Sequence, residues 1–347
     1  MLGQRVLGGV GIVNHLERTG LNYLVSWSVS VSLCASASCL AQQPGPANGY
    51  PIKPVKLIVT SGPGSSPDIV SRIFTAKLAE IWGQPVIVEN VAGAAGNIGT
   101  ERVVKSAPDG YTLLFATAGP LQFNMNLYSK LGYDIVRDFE PIMQITRAPN
   151  ILAVHPSVPV SSVQELIAYA RQNPGKLRFG SPGSGSSQHL SGELFKKMAG
   201  VEMVHVPYKS SAQMTIELVG GQFELAFQNA PGFLPYVKQG QVKALAVTTA
   251  NRMPLAPELP TVAEAGLPGF EISGRSGLMA PKGTPAVLIN KVYGDMARVM
   301  AIPLVRERLL ANGSIIVANR PEEFAASLKE EISRWAPIIK ASGAKAD

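Results

Sequence analysis

The sequence predicts an α/β protein of two lobes with parallel strands in its sheets. Three observations predict it. Apolar runs of strand length alternate with amphipathic runs of helix length along most of the chain, the pattern of strands joined by crossover helices. The 347 residues suffice for two domains of ordinary size. Polar, glycine-rich loops follow several strands and precede helices, where open α/β sheets bind ligands.

Composition narrows the class. Hydrophobic residues make up 46% of the chain and charged residues 16%, which suits a globular protein with sizeable cores. The formal net charge of +7 comes from scattered residues with no dense Lys/Arg block. No nucleic-acid partner is expected, and the mild positive field favours small anions. Residues 1–41 stand apart. Arg5 and Arg18 precede "LNYLVSWSVSVSLCASASCLAQQ", an apolar, small-residue run. It reads as a secretory signal peptide with cleavage after Ala41 or Ala37. A membrane anchor fits less well, because the run is short and rich in serine. A lipoprotein signal at Cys34 or Cys39 lacks a leucine three residues upstream. Both cysteines lie in this leader, so the exported chain would hold no disulfide, thiolate metal ligand or thiol nucleophile. Residues 42–52 read as a Pro/Gly linker.

The predicted strands are "VKLIVT" (55–60), "VIVEN" (86–90), "TLLFAT" (112–117), "ILAVHP" (151–156) and "LRFGS" (177–181). "MVHVPY" (203–208), "ELAFQN" (224–229), "ALAVTT" (244–249), "SGLMAP" (276–281) and "SIIVA" (314–318) follow. Helices fill most gaps. Ser66-Pro67 places an N-cap before a first-turn proline, with Asp68 next and Ile69, Ile73 and Leu78 on an apolar face. Ser162 with Glu165, and Thr261 with Glu264, have capping-box spacing. Leu190, Leu194 and Met198 recur every four residues before a stop at Gly200. Thr284-Pro285 opens a further helix. The expected domains are a first lobe over 53–148 and 273–347, and a second over 149–272.

Three Gly-rich loops carry the candidate chemistry: "SGPGSSPD" (61–68), "NVAGAAGNIG" (90–99) and "GSPGSGSSQ" (180–188). "TAGPLQFN" (117–124) is a fourth strand-end loop. At a helix start the backbone N–H groups lack partners, and the helix dipole adds positive charge. Loops of this kind from both lobes point to one shared anion cleft. Nucleotide fingerprints fail: Gly183-x-Gly185 lacks a third glycine, and no GK[ST] follows. An exported serine hydrolase is the rival from another class, because Ser184, Ser186 and Ser187 stand beside His189. The G-x-S-x-G elbow is absent, and a base two residues from its serine is poorly placed. His155 and His205 read as strand histidines, and no His/Asp/Glu cluster has metal-ligand spacing.

Taken together, "GAAGNIGTERVVKSAPDGYTLLFAT", "GSGSSQHLSGELFKKMAGVEMVHVPYK", "KALAVTTANRMPLAPELPTVAEAGLPGFE" and "GLMAPKGTP" resemble the Bug-type extracytoplasmic solute receptors. These are the binding proteins of tripartite tricarboxylate transporters, and the resemblance runs in order from about Tyr50 to the end. It implies a type II, flytrap-like periplasmic binding fold with a cleft between lobes, no cofactor and no catalysis. It further implies a monomer in the periplasm that takes a small carboxylate to a transporter of one large and one small integral subunit, or to a sensor. Mapped onto this chain, the ligand-holding residues fall on Gly64, Ser65, Ser66 and Asp68. Ala94, Gly96, Asn97, Thr117 and Ala118 complete the near side. Ser181, Gly185, Ser186, Ser187 and Asn229 form the far side.

Departures from the family pattern bear on the ligand. Ser61 replaces an aromatic residue, and Ser65 and Ser66 replace glycines. Gln228 stands where an acidic residue is common, which removes a partner for an ammonium group. Arg275-Ser276 replaces Trp-Phe. The expected ligand is therefore a di- or tricarboxylate rather than an amino acid, with Arg275 as a forked cation for carboxylate. The alternative for Arg275 is a solvent-facing position at the hinge.

Overall fold

The computed structural model describes residues 49–342 and 344. The signal-peptide reading, with Cys34 and Cys39, lies outside these residues. Strands β1 (Val55–Val59), β2 (Val86–Asn90) and β3 (Thr112–Ala116) run parallel in the order β2-β1-β3. They alternate with helices α1 (Ser66–Trp82) and α2 (Asn97–Val104), and a short helix α3 (Asn124–Leu127) follows β3. Strand β4 (Phe139–Val154) is the longest, at 16 residues. After α4 (Val163–Gln172), β5 (Arg178–Ser181), α5 (Ser187–Ala199), β6 (Val204–Pro207), α6 (Ser211–Val219) and β7 (Leu225–Asn229) build a second parallel set. Helix α7 (Ala230–Lys238), β8 (Lys243–Val247), β9 (Ser273–Pro281), α8 (Ala286–Ala301), α9 (Pro303–Ala311), β10 (Ile315–Ile316) and α10 (Pro321–Ser342) complete the order.

Two antiparallel strands join the parallel sets. Strand β9 pairs β3 and the first part of β4. The same β4 then pairs β7 and β8. Its partner changes between Pro149, opposite Ser273, and Asn150, opposite Asn229. The expected parallel strands are present in both sets, and the antiparallel β4 and β9 make the sheet mixed. A two-lobed fold needs a strand that passes from one half to the other, and β4 does so.

Local chemistry explains the element ends. The α1 cap is Ser65, one residue before the expected Ser66; its hydroxyl accepts from the Asp68 N–H, and Pro67 sits in the first turn. Ser162 caps α4 through the Glu165 N–H at 3.1 Å. Thr261 and Glu264 bond reciprocally, at 3.0 and 2.9 Å, but close a turn rather than a helix. Gly200 ends α5 in the left-handed conformation, at φ 62°. Thr284 does not cap α8; its hydroxyl donates to the Pro281 carbonyl at 2.7 Å.

Helix α10 ties the core together. Phe324 and Leu328 pack with Ile58, Leu114 and Met279 on the β1–β3 side. Trp335 and Ile339 pack with Phe179, Leu190 and Phe227 on the other. No helix among the described residues is long and apolar enough to cross a membrane.

Candidate functional site

A cavity of about 600 Å³ opens between the two halves of the sheet. Its wall is built largely from strand-to-helix turns. The β1–α1 turn contributes Thr60, Ser61, Ser65 and Ser66; the segment before α2 contributes Gly93 to Gly96; the end of β3 contributes Thr117 to Gly119. From the other half come Gly183, Ser186, Ser187 and Gln188 around the start of α5, the 208–212 turn before α6, and Asn229. Thr146, Ala148 and residues 274–276 of the joining strands line it as well.

The first turn is pinned from behind. Gly64, at φ 72°, donates its N–H to Asp68 Oδ2 at 2.9 Å. Asp68 Oδ1 accepts from Arg72 and from Asn90, each at 3.0 Å. Burial alone would raise the Asp68 carboxyl, but Arg72, the Gly64 N–H and Asn90 hold it below the ordinary carboxylate range. Gly64 and Asp68 thus shape the loop from behind the wall, while Ser65 and Ser66 face the cavity. Ser61 and Ser65 hydroxyls meet at 2.8 Å.

The second turn is strained. Gly93, Ala94, Ala95 and Gly96 all have positive φ, at 125°, 45°, 51° and 95°. Two alanines in the left-handed region cost free energy that the surroundings must offset. Asn124 Nδ2 donates to the Ala95 carbonyl at 3.2 Å and to Asn97 Oδ1 at 2.6 Å. Tyr133 also donates to Asn97 Oδ1, at 2.6 Å. Ala94 and Gly96 line the cavity; Asn97 is buried below and anchors α2. The Thr117 N–H donates to Thr60 Oγ1 at 3.1 Å, which joins the first and third turns.

In the other half Ser186 caps α5 by accepting from the His189 N–H at 3.2 Å and donates to the Gly183 carbonyl at 2.8 Å. Ser187 donates to Gln188 Oε1 at 3.1 Å. Gln188 Nε2 donates to Asn229 Oδ1 and Gln228 Oε1, at 3.0 and 3.1 Å. Asn229 faces the cavity, whereas Gln228 lies behind it and donates to Thr215 at 3.1 Å. Ser181 is buried; its hydroxyl bonds His205 Nε2 at 2.6 Å. Gly185 lies behind the wall as well, against the other half: a Cβ there would stand 2.8 Å from Ala95 Cβ and 2.9 Å from Asn124 Oδ1. Its φ is 89°. Gly185→Ala is therefore expected to displace the 183–186 turn and to destabilise the protein by about 1–3 kcal/mol. Denaturant midpoints would measure the loss, and an unchanged midpoint would count against this packing.

The serine-nucleophile geometry does not form. His189 Nδ1 accepts from the Gly185 N–H at 3.2 Å rather than from a serine. Two serines do meet a histidine among the described residues, Ser181 on His205 and Ser157 on His155, and both lie off the cavity wall. Burial, then the neighbouring His205, then Lys196 pull His189 down to about 3; burial and Lys196 pull His205 down to about 4.

Arg275 reaches the cavity wall, where the ligand-cation reading places it, but with its charge already paired. It touches the cavity but is 7% exposed, and its guanidinium donates to Glu331 Oε1 at 2.7 Å and to Gln144 Oε1 at 3.3 Å. It is a partner of α10 before it is a partner of any ligand. Burial draws its pKa down to about 10, against the opposing pull of Glu331, so it stays charged near neutrality. Sequence reasoning missed Thr60, Gln188 and the 208–212 turn. The last was open to the rule used for the others, because it too joins a strand end to a serine-capped helix.

The wall is assembled from both halves, and polar groups at helix starts from each half stand on it. Those features define a solute-binding receptor of the two-lobed, periplasmic-binding-protein-like class. The chain belongs to the tripartite tricarboxylate transporter receptor family, whose pattern matches residues 70–344. It is 34% identical to protein BugT of Bordetella pertussis over 303 residues, 87% of this chain and 93% of that one. A solved structure of an R. palustris protein with adipate is 38% identical, with a TM-score of 0.82 over 85% of this chain and 98% of that one. MatC from Rhodopseudomonas palustris with bound malate is 31% identical, with a TM-score of 0.79 over 84% of this chain and all of that one, 100%.

Proposed function

We propose that this receptor captures a small di- or tricarboxylate without an ammonium group and passes it, unchanged, to a membrane transporter of one large and one small integral subunit. The observation that carries the reading is the convergence of the α1, α2, α5 and α6 starts on one cavity. Each helix start offers unpaired N–H groups and partial positive charge to an anion. No Asp or Glu stands on the described wall, so an ammonium group would enter without a counter-charge. The relatives bound to adipate and malate support the same ligand chemistry. The reading takes the lobes as residues 53–148 with 273–347, and 149–272, and the partner change within β4 supports the first of these boundaries. The receptor acts as an exported periplasmic monomer without cofactor.

Thermal shift against a carboxylate panel tests this reading. A ligand at 100 times its Kd adds about 2.7 kcal/mol to the folded state, so C4-diacids, longer diacids or citrate are expected to raise Tm. Calorimetry then gives affinities, expected near micromolar, about −8 kcal/mol. Tight binding of glutamate or aspartate with no response to any diacid or citrate would overturn it.

A further inference from the structure

We propose that Lys209 is the counter-charge for a second carboxylate on the ligand, so that the site selects dicarboxylates over monocarboxylates. This rests on the carboxylate reading above. Among the described residues of the wall the cations are Lys209 and Arg275. Arg275 is bonded to Glu331 and buried with it. Lys209 is exposed and forms no ion pair among the described residues. No acidic side chain stands on the described wall to compete with a ligand for it.

The backbone around Lys209 is held on both sides. The Tyr208 N–H donates to the Ser181 carbonyl at 2.8 Å, and the Tyr208 ring packs on Phe223 at 5.3 Å. Ser210 caps α6 by accepting from the Gln213 N–H at 3.2 Å. The turn is therefore fixed at the wall, and the flexible lysine side chain reaches from it. Backbone amides at helix starts suit one carboxylate without any cation. A second carboxylate at the far end of a ligand gains from a charged donor, because charge-assisted hydrogen bonds are the stronger ones.

The test is calorimetry on the full exported chain with straight-chain diacids from succinate to pimelate and with the matching monoacids. Wild type is expected to prefer a diacid to its monoacid. Lys209→Met is expected to weaken that diacid about tenfold, the loss of one partly solvated charge contact. Its affinity for the monoacid should change less than about twofold, and Lys209→Arg should keep most of the diacid preference. Circular dichroism of both variants checks the fold, which an exposed residue should leave intact. A diacid affinity unchanged in Lys209→Met, while wild type binds diacids, overturns the role of Lys209 alone. Failure of wild type to bind any mono- or diacid overturns this assignment, and failure to bind citrate as well overturns the carboxylate reading with it.

Discussion

Glu331→Gln is expected to destabilise the folded protein by about 3–5 kcal/mol, the usual consequence of removing one partner of a buried ion pair. Glu331 is 7% exposed and sits at the centre of a network. It accepts from Arg275 at 2.7 Å, Gln122 at 2.9 Å, Trp335 at 3.1 Å and Arg334 at 3.4 Å. Burial alone would raise its carboxyl, but Arg275, Gln122, Arg334 and Trp335 together hold it below the ordinary range. The amide preserves the shape of the side chain and removes its charge. Arg275 would then be buried without a counter-ion, with the positive charges of Arg147 and Arg334 already pressing on it. Denaturant unfolding measures the loss. The double variant Arg275→Met with Glu331→Leu should lose much less, because two apolar groups leave no orphaned charge. A loss below about 1 kcal/mol for Glu331→Gln would mean that Arg275 turns to the cavity and finds solvent there.

That network also shows where sequence reading stops. The partner of Arg275 lies 56 residues away, on a helix; local spacing carries no trace of it. Neither the ligand-cation nor the solvent-facing reading includes the buried pairing with Glu331. Gln228 has a related cause. Its amide is taken up by Gln188 and Thr215, brought to it from other helices, and it lies behind the wall that Asn229 lines. Strands, by contrast, were legible wherever apolar runs were unbroken. "VIVEN" was placed at its true bounds, 86–90. The first part of β4 was not seen, because Pro141, Pro149 and several polar residues interrupt "FEPIMQITRAPN". Its pairing with β9 shifts register between Pro141 and Met143 and again between Gln144 and Thr146, the irregularity expected where proline cannot donate. The anion-facing turns were legible for the opposite reason. Their chemistry is local: a strand end, a capping hydroxyl and a helix start lie within ten residues or so.

Acid is expected to weaken the protein well above the range in which its carboxylates protonate. His189 and His205 have ring centroids 4.2 Å apart beneath the 181–189 segment, and His205 stacks on Phe179 at 4.9 Å. Lys196 stands over Phe179 at 5.9 Å, and Glu193 Oε1 is 4.0 Å from His189 Nε2. Burial is the main reason that both rings are held neutral, down to about 3 for His189 and about 4 for His205. That burial outweighs the distant carboxylate of Glu193, so the His189–Glu193 contact is not an ion pair at neutral pH. A depressed histidine makes the unfolded chain bind more protons than the native one below about pH 6.5. The stabilisation is therefore complete above pH 6.5 and is lost as pH falls through 5 toward 4. At pH 5 each ring lies about 1.5 pH units below its free value, so the pair forfeits about 4 kcal/mol together. Asp68 acts in a lower window, since its contribution persists until pH falls through its depressed pKa. Denaturant midpoints of the ligand-free protein, taken every half unit from pH 7.5 to 4.5, are expected to fall steadily below 6.5. The double variant His189→Gln with His205→Gln should be weaker at neutral pH and nearly flat across that interval. Because Gly185 donates to His189 and Ser181 bonds His205, the same protons that loosen the core release the turn carrying Ser186 and Ser187. A wild-type profile as flat as that of the double variant would show that these rings titrate normally, and the turn would then owe nothing to their neutrality.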